Sequence, residues 1–210
     1  MIPVRGELCS NCKLNDVLLP VHPLRPHIMA MPIQVPRYTV DQVRSFPEDG
    51  QRYELLDGFL LVTPAAGNLH QIVTLNLAAA LHQALVPSRR ARVVSCGELE
   101  IGNHTLLDPD ILVYPVTYEP RTPWKRIRGW WLAVEVLSPS TRVYDRDFKQ
   151  KAYLNLGVEE VWLVDPESGT IEVWNEDGHN HVSGGLLAWR PKALSPDRVE
   201  IELDQVFLRA

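Results

Sequence analysis

At 210 residues, with 45% apolar and 22% charged side chains, the chain has the length and composition of one ordinary globular domain with a sizeable core. A formal charge of -5 argues against constitutive, purely electrostatic coating of nucleic acid. No apolar run approaches the length of about 18 residues that a membrane helix needs, and VLLPVHPL, broken by two prolines, does not read as a secretory signal, so a cytoplasmic protein is expected.

Residues 1–32 read as a proline-spaced, poorly ordered leader, and residues 33–210 as a single domain. Within the leader, Cys9 and Cys12 form a lone CxxC followed by His22 and His27. The gap before the histidines is shorter than finger spacing, and Pro20, Pro23 and Pro26 would break a helix presenting them. A zinc site there is not expected. YTVDQVRSF (38–46) predicts a short helix capped by Thr39. RYELLDGFLLVTP predicts a hairpin turning at Asp57-Gly58, a pair suited to two successive positive φ values. NLHQIVTLNLAAALHQAL then predicts the longest helix, with Asn68 as N-cap and a stripe through Leu69, Ile72, Val73, Leu77, Leu81 and Leu85.

Three strand-like runs follow: ARVVSC, ELEI and DILVYP. A proline- and arginine-rich loop, TYEPRTPWKRIRG, leads to WWLAVEVL, the most hydrophobic strand. A helix is predicted from Asp145, acting as its cap, to Leu156, with Gly157 as the terminator. EEVWLVD and TIEVW predict a second hairpin, and residues 175–210 further short strands and turns. This order predicts an α+β protein, a mixed β-sheet flanked by a few helices.

Charge is unevenly placed. Residues 121–151 carry eight basic and three acidic groups, +5 locally on a chain that is otherwise -10. Such a segment suits either a polyanion or an unevenly solvated surface. Asp110, after Pro109, stands at the mouth of a strand, with Asp108 its close competitor. Glu135 lies inside the most apolar strand, where an unpaired carboxylate costs several kcal/mol or takes up a proton. If the strands bearing Asp110 and Glu135 are neighbours, the two acids converge on a site for a hard divalent cation. Lys149 and Tyr153, four apart on a helix, share a face that can turn toward Glu135, whereas Lys151 lies about 200° away and faces solvent. Glu54, in the first hairpin, reads as an exposed strand residue or a site acid, and His70 as a packing residue near a helix start or part of the site.

YELLDGFLLVTPAAGNLHQ, LLDPDILVYP and LAVEVLSPSTRVYDRDFKQKAYLNLGVEEVWLVDP, in that order, resemble the Uma-type restriction endonuclease family (DUF820) of the PD-(D/E)XK nuclease superfamily, over about residues 36–175. The resemblance implies a restriction-endonuclease-like fold and hydrolysis of DNA phosphodiesters with Mg²⁺ or Mn²⁺. Pro109-Asp110 matches the PD element and Glu135 the second acid. Leu137 stands where the superfamily usually has lysine, and Lys149, on the following helix, takes its place. Glu54 matches an acidic residue of an early element and a third metal ligand, and His70 a recurrent histidine. Asp110, Glu135 and Lys149 are thus the expected catalytic residues. Arg126, Arg128, Arg142 and Arg146 are expected to meet flanking phosphates, and Trp124 either stacks on a base or packs on the core. The alternative is a catalytically inactive nuclease-fold module for nucleic-acid binding or dimeric protein interaction. Tryptophans expected to be exposed in the loop and second hairpin point weakly to a homodimer.

Overall fold

The structure, a computed structural model, describes residues 35–207; the leader and its Cys9, Cys12, His22 and His27 lie outside the described residues. Helix α1 (Val40–Arg44) starts at Thr39, whose hydroxyl accepts from the Gln42 backbone while the Gln42 side chain accepts from the Thr39 backbone. This reciprocal arrangement is a capping box. Strands β1 (Arg52–Leu56) and β2 (Phe59–Thr63) form the first hairpin, with Asp57 at φ 51° and Gly58 at φ 81°. Helix α2 (Asn68–Leu85) buries Val73, Leu77, Leu81 and Leu85 along one face. Strands β3 (Ala91–Ser95), β4 (Leu99–Ile101), β5 (Thr105–Leu107) and β6 (Ile111–Pro115) come next, and β7 (Leu132–Val136) is buried at every position.

The segment after β7 departs from the single predicted helix. Helix α3 (Arg142–Tyr144) runs into a π-helical turn over Asp145–Lys149 and then into α4 (Gln150–Asn155). Asp145 is therefore inside a continuous helical segment and buried, not a solvent-facing cap. Gly157 follows the C-cap Leu156 at φ 92°, the left-handed conformation that ends helices. Strands β8 (Glu160–Asp165), β9 (Thr170–Asn175), β10 (Gly178–Ser183), β11 (Leu186–Trp189) and β12 (Val199–Glu202), then α5 (Leu203–Val206), complete the chain.

A six-stranded sheet in the order β10-β9-β8-β7-β6-β3 carries the core. All its neighbours are antiparallel except β7 and β8, which run parallel. A parallel pair needs a crossover, and α3–α4 supplies it. Alternation along β7 divides its side chains between two faces. Leu132, Val134 and Val136 join α2, β11, β12 and α5 in one core cluster. Ala133 and Leu137 join Tyr153 and Ala152 of α4 in another. Glu135 shares the parity of Ala133 and Leu137, so it points at the crossover helix. A four-stranded antiparallel sheet, β2-β1-β5-β4, and the β11-β12 pair stand beside the main sheet. Trp162 is buried, and Trp124 and Trp174 are half-buried, so the tryptophans taken as a sign of dimerisation are not exposed. No helix among the described residues is long and apolar enough to cross a membrane.

Candidate active site

Strands β6 and β7 are neighbours, with Ile111 opposite Val134. One step further along that register sets Asp110 across from Glu135. The Val136 amide, just beyond Glu135, donates to Asp110 Oδ2 at 2.8 Å. The two acids thus meet at the end of the strand pair and line one cavity of about 170 Å³. Arg52, His70, Asp145 and Lys149 line it too, between the Pro64–Gly67 loop before α2 and the Ser138–Thr141 loop before α3. The N-terminus of α2, with its unpaired backbone amides and positive dipole end, opens on the same space.

Lys149 is buried and ion-paired to Glu54 Oε2 at 2.7 Å, Glu135 Oε1 at 3.1 Å and Asp145 Oδ1 at 3.5 Å. Asp145 and Lys149, four residues apart, share the inner side of a π-helical turn, a feature that recurs at functional sites. Lys151 is exposed, as the helical spacing predicts. Tyr153, fully buried one turn further on, donates its hydroxyl to Glu135 Oε1 at 2.5 Å. Glu54 is buried, not exposed. Its second oxygen accepts from the Asp108 amide at 2.9 Å, and its side chain does not reach the cavity.

Asp110 is gripped on both oxygens. Oδ2 meets His70 Nε2 at 3.0 Å as well as the Val136 amide, and His70 is buried with Nδ1 at 3.4 Å from the Thr74 hydroxyl. Oδ1 accepts from Arg52 Nη1 at 3.0 Å, while Arg52 Nη2 donates to the Asp108 carbonyl. The sequence reading passed over Arg52, although it sits two residues before Glu54 and so shares its face of β1.

These contacts set the charge states. Burial alone would raise Asp110, but the His70 hydrogen bond, the Arg52 charge and the Val136 amide hold it below the ordinary carboxylate range. Burial pushes Glu135 well above that range, and Asp145, Asp110 and Glu54 reinforce the rise against the opposing pull of Lys149. Asp145 is raised by burial too. Burial disfavours the Lys149 ammonium, yet Glu135, Glu54 and Asp145 together hold its pKa above the usual lysine value. Asp108 is pushed up to about 7, first by burial and then by Glu54.

Five carboxyls (Glu54, Asp108, Asp110, Glu135 and Asp145) therefore face the guanidinium of Arg52 and the ammonium of Lys149. An excess of hard oxygen donors over positive charge is the environment in which a divalent cation fits. The fit is with a two-carboxylate site completed by solvent. Among the described residues, no group of three or more acidic, histidine or cysteine side chains is preassembled around one point.

The predicted phosphate contacts separate into two kinds. Arg142 makes a two-pronged pair with Asp165, at 2.8 and 3.1 Å, and Arg146 is paired with Glu172. Arg126 and Arg128 are exposed, the latter with its guanidinium over the Trp130 ring. Trp124 packs edge-on against Tyr114, so of its two predicted roles the structure has the packing one.

Residues 40–207 match the family described as "Uma2: Putative restriction endonuclease". The chain belongs to the Uma2 family. Among solved structures, it is similar to a putative nuclease belonging to DUF820 from Anabaena variabilis ATCC 29413. The TM-score is 0.65 at 20% identity, covering 81% of this chain and 97% of that one. No curated protein matches the chain. The Uma2 match spans every residue of the cavity described above, and the solved relative shares the fold that brings them together.

Proposed function

We propose that this Uma2 protein is a divalent-cation-dependent endonuclease that hydrolyses DNA phosphodiester bonds. The observation that carries the reading is the convergence of Asp110, Glu135 and Lys149 on one cavity. Asp110 and Glu135 are the residues to hold Mg²⁺ or Mn²⁺. Once bound, the ion supplies Lewis-acid polarisation of the scissile phosphate and a more acidic water.

The protein's own groups do the rest. Lys149, locked in its protonated form, is a fixed electrostatic donor and not a base. Its contact with Asp145 is the longest of the three, which leaves that side of the ammonium for an attacking water or a phosphate oxygen. Glu54 positions Lys149 and the Asp108 backbone, a holding role in place of the predicted metal ligand. Tyr153 fixes the Glu135 rotamer, and His70 fixes Asp110. Exposed Arg126, and Arg128 resting on Trp130 and the Ile127 carbonyl, are the arginines to meet flanking phosphates, whereas Arg142 and Arg146 are largely neutralised by their acidic partners.

One assay tests this: nicking of supercoiled DNA with Mg²⁺ or Mn²⁺, with Glu135→Ala and Lys149→Ala as controls. Cleavage is expected from the intact protein and from neither variant. Activity that survives both substitutions refutes the assignment. The non-catalytic alternative draws on the engaged state of both Asp110 oxygens. It gains if the intact protein binds DNA or RNA but cleaves neither.

A further inference from the structure

We propose that Arg52 is a substrate-phosphate ligand whose salt bridge also latches Asp110, so that cation and phosphodiester each promote binding of the other. The proposal rests on the cation-dependent reading above and deepens it.

The geometry assigns the role by elimination among the three groups holding Asp110. Oδ2 is fixed by a backbone amide of a fully buried strand and by a buried histidine anchored on Thr74. Neither donor can leave without disturbing β7 or α2. Among the described residues, Oδ1 is held by Arg52 alone. That side chain is 29% exposed, against 9% for His70, and belongs to the end of a strand in the neighbouring four-stranded sheet. Arg52 is therefore the partner that can move.

It also stands where a cation at Asp110 cannot tolerate it. A guanidinium 3.0 Å from Oδ1 occupies that oxygen and repels any second positive charge brought to it. A guanidinium has five N–H donors, and Arg52 uses two of them here, on Asp110 and on the Asp108 carbonyl. A phosphodiester entering the cavity offers two non-bridging oxygens that can accept both prongs of such a fork. Turning toward it releases Oδ1 to the cation, and the cation in turn leaves Arg52 without its carboxylate partner. Favourable coupling in one direction must appear in the other.

The test measures binding, not turnover. Mn²⁺ is titrated into the full chain by electron paramagnetic resonance, alone and with a short phosphorothioate-backboned DNA duplex. For the intact protein, the duplex is expected to tighten Mn²⁺ binding. Arg52→Gln is expected to bind Mn²⁺ alone about fivefold more tightly than the intact protein, the size of one partly exposed ion pair removed. The duplex is expected to have no further effect on that variant. Arg52→Lys keeps the charge but loses the fork, so it should retain the fold and show weaker coupling. An Arg52→Gln protein that melts like the parent yet binds Mn²⁺ no better overturns the proposal, as does undiminished coupling in Arg52→Lys. Absence of any Mn²⁺ binding by the intact protein overturns the cation-dependent reading itself, a different result from either of these.

Discussion

Asp108 and Asp110 sit two residues apart, and their environments drive them in opposite directions, which gives a sharp test on Asp108→Asn. The Asp108 carboxyl has one oxygen buried without a partner and titrates near 7 because of burial and the Glu54 charge. In the unfolded chain an aspartate titrates near 3.9. Between these values the unfolded state has released a proton that the folded state keeps, so stability falls as pH rises and levels off above the folded value. At about 1.4 kcal/mol per pH unit, this one group removes about 3 kcal/mol between about pH 5 and pH 8. Asparagine does not ionise, so Asp108→Asn should lose that slope. Urea unfolding of both proteins in EDTA at the two pH values measures it. The stability difference should move by about 3 kcal/mol in favour of the variant on going to the higher pH. If the two proteins lose stability in parallel, Asp108 is not the buried, proton-retaining carboxyl described here, and the division of labour between the two aspartates is wrong.

Two further outcomes follow from single contacts. Tyr153→Phe removes the hydroxyl donor to Glu135 and should destabilise the fold by about 2 kcal/mol, read by denaturant unfolding; unchanged stability would refute a holding role for Tyr153. If DNA is bound across the basic loop, Arg126→Ala should weaken duplex binding and lower the salt dependence by about one phosphate contact. Arg142→Ala should change both far less, because Asp165 already holds that guanidinium by two hydrogen bonds. Equal effects from the two variants would mean that Arg142 leaves Asp165 on binding.

Much of the site was legible because its members announce themselves locally. Glu135 interrupts an apolar strand, Pro109 marks the strand entrance before Asp110, and the spacing of Lys149, Lys151 and Tyr153 assigns helix faces. Each of these signals lies within a few residues of chain. Arg52 and Asp145 escaped because each has an ordinary surface reading, a strand-edge arginine and a helix cap. The partner of Arg52 is 58 residues away, and Asp145, though paired with nearby Lys149, is drawn inward by a lysine that also holds the distant Glu54 and Glu135. The π turn was equally hidden, since an α-helical pattern over the same residues satisfies the apolar spacing.

By itself, the sequence determined the α+β class, the hairpin at Asp57-Gly58, the long helix α2 and Glu135 as an anomalous acid, while the family resemblance singled out Asp110 and Lys149 as its partners in the candidate site. The former rest on side-chain periodicity, turn chemistry and the cost of a charge in an apolar strand, all properties of short segments. Only the tertiary structure decided that β6 and β7 are neighbours in the register that sets Asp110 against Glu135. It alone set the parallel β7–β8 crossover that lowers Lys149 onto three carboxyls, and placed Arg52 on Asp110 Oδ1. Register and packing depend on long-range pairing, and a single-residue slip would send Glu135 to the opposite face of the sheet.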